Sequence, residues 1–123
     1  MSAKAMVNTL AHKVITEVDE GALYVAEVEL DFGSFFRRIG FICQNREHNN
    51  GAWLPRHHHL AAQQMRNFAK HSIPVVTLID TPGADAGEEA NANNQAHSIS
   101  HLITEMANLD VPSLGIIWGA GYS

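Results

Sequence analysis

The sequence holds a single cysteine, Cys43, in 123 residues. One thiol permits no internal disulfide and no Cys-rich zinc ribbon, and a reducing, cytoplasmic setting is the expectation. Basic residues are also scarce: eight Lys and Arg against thirteen Asp and Glu leave a formal net charge of -5. No basic stripe is available, so nucleic acid is not an expected partner. No apolar run approaches the ~20 residues that cross a bilayer. The N-terminus, Met1-Ser2-Ala3-Lys4-Ala5-Met6, lacks the apolar centre of a secretion signal. Neither membrane insertion nor export is expected. What remains, 46% hydrophobic and 17% charged, suits one globular domain with a modest core.

The chain is organised around Ile73 to Gly87. Val75 to Ile79 is a continuous apolar run between Pro74 and a Pro-Gly turn, which predicts a strand covered on both faces in a parallel sheet. Residues 1–13 are aperiodic and read as a short arm or a frayed helix that packs elsewhere in a larger assembly. Val14 to Val18 and Ala22 to Leu30 flank Asp19-Glu20-Gly21, a hairpin signal. Phe36 to Gln44 follows a turn at Asp31-Phe32-Gly33-Ser34 and reads as a third strand. Leu60, Ala61, Met65, Phe68 and Ala69 predict an amphipathic helix from about His57 to His71. A second, from about Ala90 to Asn108, rests on Ala96, Ile99, Leu102, Ile103, Met106 and Leu109, with Asn94, Gln95, His97, Ser98 and His101 as a wet or partner-facing stripe. Ser113 to Trp118 then forms a last strand, followed by Gly119-Ala120-Gly121. A glycine cluster after a strand normally feeds a helix, so a chain cut within its second ligand loop is the expectation.

Ligands of open α/β proteins sit at the carboxyl ends of strands, which makes Asp80 to Gly87 the floor of a candidate site. Asp80-Thr81-Pro82-Gly83 has the letters of a GTPase magnesium loop. That chemistry needs an upstream Gly-Lys-Ser or Gly-Lys-Thr phosphate cradle, and the sequence contains neither. The alternative is an oxyanion hole, in which two small-residue loops each aim a backbone N–H at one carbonyl oxygen. Gly83 or Ala84 gives the first donor; Gly119 and Gly121 open the second loop. Pro82 fixes the turn without donating, and Asp80 caps its own loop. His57-His58-His59 cannot all face one ion on a helix, and His97 with His101 lacks a third ligand, so no metal is expected. Arg37, Arg38, Arg46 and Arg56 are candidate phosphate contacts, with surface solubility as the favoured alternative. Trp53 and Trp118 read as core or interface.

The run from Ile73 to Ala84, with Gln95, Ile99, Glu105-Met106 and Val111-Pro112, resembles the α-subunit family of acetyl-CoA carboxylase carboxyltransferases, within the crotonase-like superfamily. The resemblance covers about residues 39–123. It implies an α/β fold of crotonase-like ββα repeats, here an incomplete single domain over 14–123 with an N-terminal arm over 1–13. The implied activity is transfer of a carboxyl group from carboxybiotin to acetyl-CoA, giving malonyl-CoA, with Gly83, Ala84, Gly119 and Gly121 in the oxyanion hole and Asp80, Pro82, Asp85 and Gly87 along the substrate. Implied partners are a beta-type carboxyltransferase subunit, a biotin carboxyl carrier protein and an acyl-CoA, in a hetero-oligomer; this chain alone is not expected to turn over. Asp85-Ala86-Gly87-Glu88-Glu89 keeps the family's glycine but displaces its acidic pair. Another crotonase-like hydratase, isomerase or decarboxylase, or a non-catalytic assembly subunit, stays open as an alternative.

Overall fold

The computed structural model describes residues 2–80, 88–109 and 112–118, with the backbone alone at 80, 88–95, 117 and 118. At the first turn Gly21 takes a φ of 74°, and its amide donates to Asp19 Oδ1 at 3.1 Å. That left-handed conformation suits glycine, and it folds β1 (Lys13–Asp19) onto β2 (Leu23–Asp31). The second turn repeats the device, with Gly33 at a φ of 90° and its amide on Asp31 Oδ1 at 2.8 Å. It leads into β3 (Phe36–Gln44). A loop carrying a short 3-10 turn at Asn49–Gly51 follows, then α2 (Pro55–Lys70), β4 (Val75–Asp80), α3 (Glu88–Asn108) and β5 (Ser113–Trp118).

The described strands form one sheet in the order β1-β2-β3-β4-β5. The two N-terminal pairings are antiparallel, and β3, β4 and β5 run parallel. Strand alternation divides the side chains between two layers. Tyr24, Val28, Ile39, Phe41, Val76, Leu78 and Ile116 form one layer with Ile99, Ile103 and Met106 of α3. Leu23, Val25, Ile42 and Val75 form the other with Ala61 and Phe68 of α2. The sheet therefore has α2 on one face and α3 on the opposite one. Since β3, β4 and β5 step in one direction, the two crossovers have opposite hands, and one is of the rare left-handed kind.

The first residues take the helical form of their two readings, and they pack on this sheet rather than elsewhere. Ala3–Leu10 is a helix, α1, with Ser2 Oγ accepting from the Ala5 amide at 3.1 Å. Ala3, Met6 and Val7 are fully buried in the α3-side core. Their spacing of three and four puts three apolar groups on one face, which is sufficient burial for a helix of this length.

The central strand also departs from expectation. Val76 and Leu78 are fully buried, but on the α2 side Thr77 is half-exposed and Ile79 is 38% exposed. Met65 of α2 is 46% exposed beside it. α2 covers β2, β3 and the start of β4 and reaches no further. Its close seating depends on Gly40, where a Cβ would fall 2.6 Å from the Phe68 ring.

Candidate functional site

The parallel register of β4 and β5 aligns their ends. Ile79 pairs with Ile117 and Asp80 with Trp118, so the chain leaves both strands at neighbouring points on one rim of the sheet. Adjacent parallel strands lie about 4.8 Å apart, so the ends of β4 and β5 are within reach of a single small group. Of the expected site residues, Asp80 ends β4 on this rim, with its backbone opposite Trp118. Pro82, Gly83, Ala84, Asp85, Gly87, Gly119 and Gly121 lie outside the described residues.

A cleft of about 340 Å³ opens at the same rim on the α2 side, lined by Gln44, Gly51, Ala52, Trp53, His58, Thr77, Leu78 and Ile79. Its volume falls at the lower end of ligand pockets. A larger cavity of about 660 Å³ lies toward the amino ends of β4 and β5, beside Pro74, Pro112 and Ser113. The smaller cleft is the better candidate, because open α/β sheets bind ligands at strand carboxyl ends.

The wall of the cleft is built from the loop after β3 and the start of α2. Gln44 Nε2 donates to the Gly51 carbonyl at 2.8 Å, and Trp53 Nε1 donates to the Ala22 carbonyl at 2.9 Å. His58 meets the Trp53 ring edge-on at a centroid separation of 5.1 Å. His57, 4% exposed, pins the wall from behind. Its Nδ1 accepts from the Leu54 amide at 3.0 Å, so Nε2 carries the proton and donates to the Glu20 carbonyl at 3.1 Å. That ring caps α2 and ties it to the β1–β2 turn, satisfying one of the amides a helix start leaves unpaired.

Charge lies mostly elsewhere. Asp19, on the β1–β2 turn, is held below the usual carboxylate range, first by its hydrogen bond from Lys4 at 2.8 Å, with the bond from the Gly21 amide adding to it. Burial, then the 2.6 Å bond to Glu17, pushes the Tyr24 phenol up. Neither group lines the cleft. Among the described residues no three His, Cys, Asp or Glu side chains gather as a metal site. The His57-His58-His59 run is divided between a buried cap and two exposed rings. Arg37 and Arg38 stand at the start of β3, about 20 Å from the rim at ~3.3 Å per residue. Arg38 pairs there with Glu27 at 3.1 Å, and Arg37 Nη1 donates to the Ala107 carbonyl at 3.4 Å. Gln44, Trp53, His58 and Thr77 were not anticipated as site residues. Trp53 sits in an aperiodic loop, where hydrophobic spacing carries no signal.

Residues 41–123 match the family described as acetyl co-enzyme A carboxylase carboxyltransferase-like. The chain belongs to this family. It is 41% identical over 80 residues to the acetyl-coenzyme A carboxylase carboxyl transferase subunit alpha of Cyanidioschyzon merolae, covering 65% of this chain and 26% of that protein. With the subunit alpha of Flavobacterium psychrophilum it shares 45% over 75 residues, 61% of this chain and 24% of the relative. A Parafrankia protein named for subunits beta/alpha is 48% identical over 63 residues, 51% of this chain and 10% of its own length. This carboxyltransferase-like chain thus spans about a quarter of the length of the alpha-subunit relatives it matches. The match takes in β4, α3 and β5 whole and begins within β3, so the rim and its cleft fall inside the family segment.

Proposed function

We propose that this chain contributes the alpha-type half of a biotin-dependent acyl-CoA carboxyltransferase, acting on acetyl-CoA to give malonyl-CoA. The observation that carries this reading is the pairing of Asp80 with Trp118, which roots two small-residue loops side by side in a chain of this family. Backbone amides at Gly83 or Ala84 and in the loop opened by Gly119 and Gly121 would then converge on one oxygen and stabilise the charge that develops there. Pro82, which has no amide to donate, would leave the next amides free for this role. Asp80, Asp85 and Gly87 border the substrate. In this reading the domain is built from crotonase-like ββα repeats.

The family implies biotin, delivered on a carrier protein. The cleft fits such a group: its wall is mostly apolar, and Gln44, His58 and Thr77 place polar side chains in its lining that could hydrogen-bond an uncharged ureido ring. Bound as carboxybiotin, the group would supply the carboxyl that moves to acetyl-CoA, with biotin as the leaving group. Trp53 and Ile79 would form the apolar wall beside such a ring and limit water on the α2 side. A beta-type subunit completes the enzyme by supplying the acyl-CoA side, which accords with relatives whose names join beta and alpha.

The test is a chimera in which residues 41–123 replace the matching segment of the Flavobacterium psychrophilum alpha subunit, assayed with the beta subunit. Malonyl-CoA formed from carboxybiotin and acetyl-CoA, and only when both subunits are present, is the expected result. Hydration or isomerisation of an acyl-CoA without biotin would point instead to another crotonase-like activity. An assembled but inert complex would favour a scaffold.

A further inference from the structure

The cleft wall is held from outside the family segment. Between β3 and α2 the chain forms no strand, and Asn49, Asn50 and Gly51 take φ values of 51°, 53° and 80° in succession. A segment without a ladder takes its place from the other hydrogen bonds its groups make. Here those ties run to the β1–β2 turn. The Asn45 amide and the Trp53 indole both donate to the Ala22 carbonyl, at 2.8 and 2.9 Å. At the start of α2, His57 Nε2 donates to the Glu20 carbonyl at 3.1 Å. A Cβ built on Gly21 falls 3.6 Å from the His48 ring, so that ring lies against the backbone of the turn. Trp53 and His58 line the cleft inside the family segment, whereas the turn, at residues 19–22, precedes the match that begins at residue 41.

The turn is itself fixed, since Asp19 accepts from Lys4 Nζ at 2.8 Å and from the Gly21 amide at 3.1 Å. We infer that His57 is a positioning residue for the cleft and the β1–β2 turn is its anchor, together setting where Trp53 and His58 stand relative to β4. This role rests on the reading of the cleft as the seat of biotin. His57 lines no part of the cleft and acts through its helix neighbour His58 and through Trp53, whose ring His58 meets edge-on. Both anchoring atoms are main-chain carbonyls, which every residue carries. The requirement is therefore for a turn in this register and not for particular side chains, and a match of residue types need not extend to it. The Ala22 carbonyl keeps the Asn45 amide when Trp53 lets go, so the wall loses its place without leaving a buried carbonyl unpaired. Position and stability are thereby separable at Trp53.

The experiment uses the whole chain, labelled with nitrogen-15, and reads two quantities by NMR: the affinity for free biotin and the solvent exchange of the Trp53 indole proton relative to the backbone amides of β3. His57→Gln keeps an acceptor for the Leu54 amide, as glutamine does at this helix position in a capping box, and releases the Glu20 carbonyl. Gly21→Val disturbs the turn from the other side, because a β-branched residue is strained at positive φ, whereas Gly21→Asn is tolerated there. His57→Gln and Gly21→Val should each weaken biotin by about fivefold, the net worth of one hydrogen bond, and speed indole exchange by a similar factor over the β3 amides. Gly21→Asn should match the unmodified chain in both. Unmodified affinity and indole exchange in a folded His57→Gln chain overturn the proposal. So does equal acceleration of the indole proton and the β3 amides, since the variants would then have lowered stability alone. If biotin shifts no resonance of the unmodified chain, the biotin reading of the cleft fails, and the relative indole exchange by itself decides the positioning role.

Discussion

Replacing His57 by alanine strips partners from two backbone groups at once, the Leu54 amide and the Glu20 carbonyl. At a site only 4% exposed, each unsatisfied group costs about 1–3 kcal/mol, less where water enters the vacated space. His57→Ala should therefore lower unfolding stability by about 2 kcal/mol in urea titration. His58→Ala, one residue on and exposed, should change it by less than about 0.5 kcal/mol. Equal effects would show that the buried ring is not the cap described. Gly40 makes a second prediction at this scale. Gly40→Ala puts a methyl group into the Phe68 ring and should cost about 1–3 kcal/mol through overpacking. Adding Phe68→Leu should recover part of that loss, and an additive double variant would contradict the contact.

Among the elements, α1 is fastened to the hairpin by Lys4 and Asp19 at 2.8 Å. Both side chains are about 40% exposed, so the pair is screened and contributes little at high salt. Its pH dependence has a definite sign. Asp19 is depressed in the folded chain, so its contribution is present above its unfolded value of about 3.9 and is lost as pH falls through the lower folded value. Lys4 is raised, so its contribution holds below about 10.4 and is lost as pH rises through the folded value. Asp19→Asn should flatten the acid limb of stability against pH at low salt, and an unchanged limb would remove the pair from the account.

The elements that the sequence made legible are those with unambiguous patterning. β3 and β5 fall on Phe36–Gln44 and Ser113–Trp118, as their apolar runs and flanking turns predict, and α3 starts at Glu88, close to Ala90. α1 was legible only as one of two alternatives, because eight residues give barely two turns of periodicity. The exposed side of β4 was missed for a different reason. Val75 to Ile79 reads as buried on both faces, and whether anything covers Thr77 and Ile79 depends on residues far away in sequence. The cleft was illegible for the same cause, since Trp53 and His58 reach it through hydrogen bonds and ring contacts fixed by Ala22 and the β1–β2 turn. The Asp80 rim was legible because a Pro-Gly turn after an apolar strand marks a strand's carboxyl end.

For the whole molecule, the described residues form a sheet with one finished face and one open face, and two loop roots on a common rim. A chain spanning about a quarter of the length of its alpha-subunit relatives brings β4 and β5 of the family segment together. The proposed chemistry rests on main-chain amides at Gly83 and across the rim, which accept a bulky side chain poorly because the substrate must approach the backbone itself. The most direct measurement is the rate of malonyl-CoA formation by the subunit chimera carrying residues 41–123, with and without Gly83→Val. Loss of one oxyanion donor costs ~100-fold or more, so the rate should fall by at least about that factor while the complex with the beta subunit still assembles. An assembled Gly83→Val chimera that turns over at the unmodified rate would contradict the oxyanion role assigned to this rim.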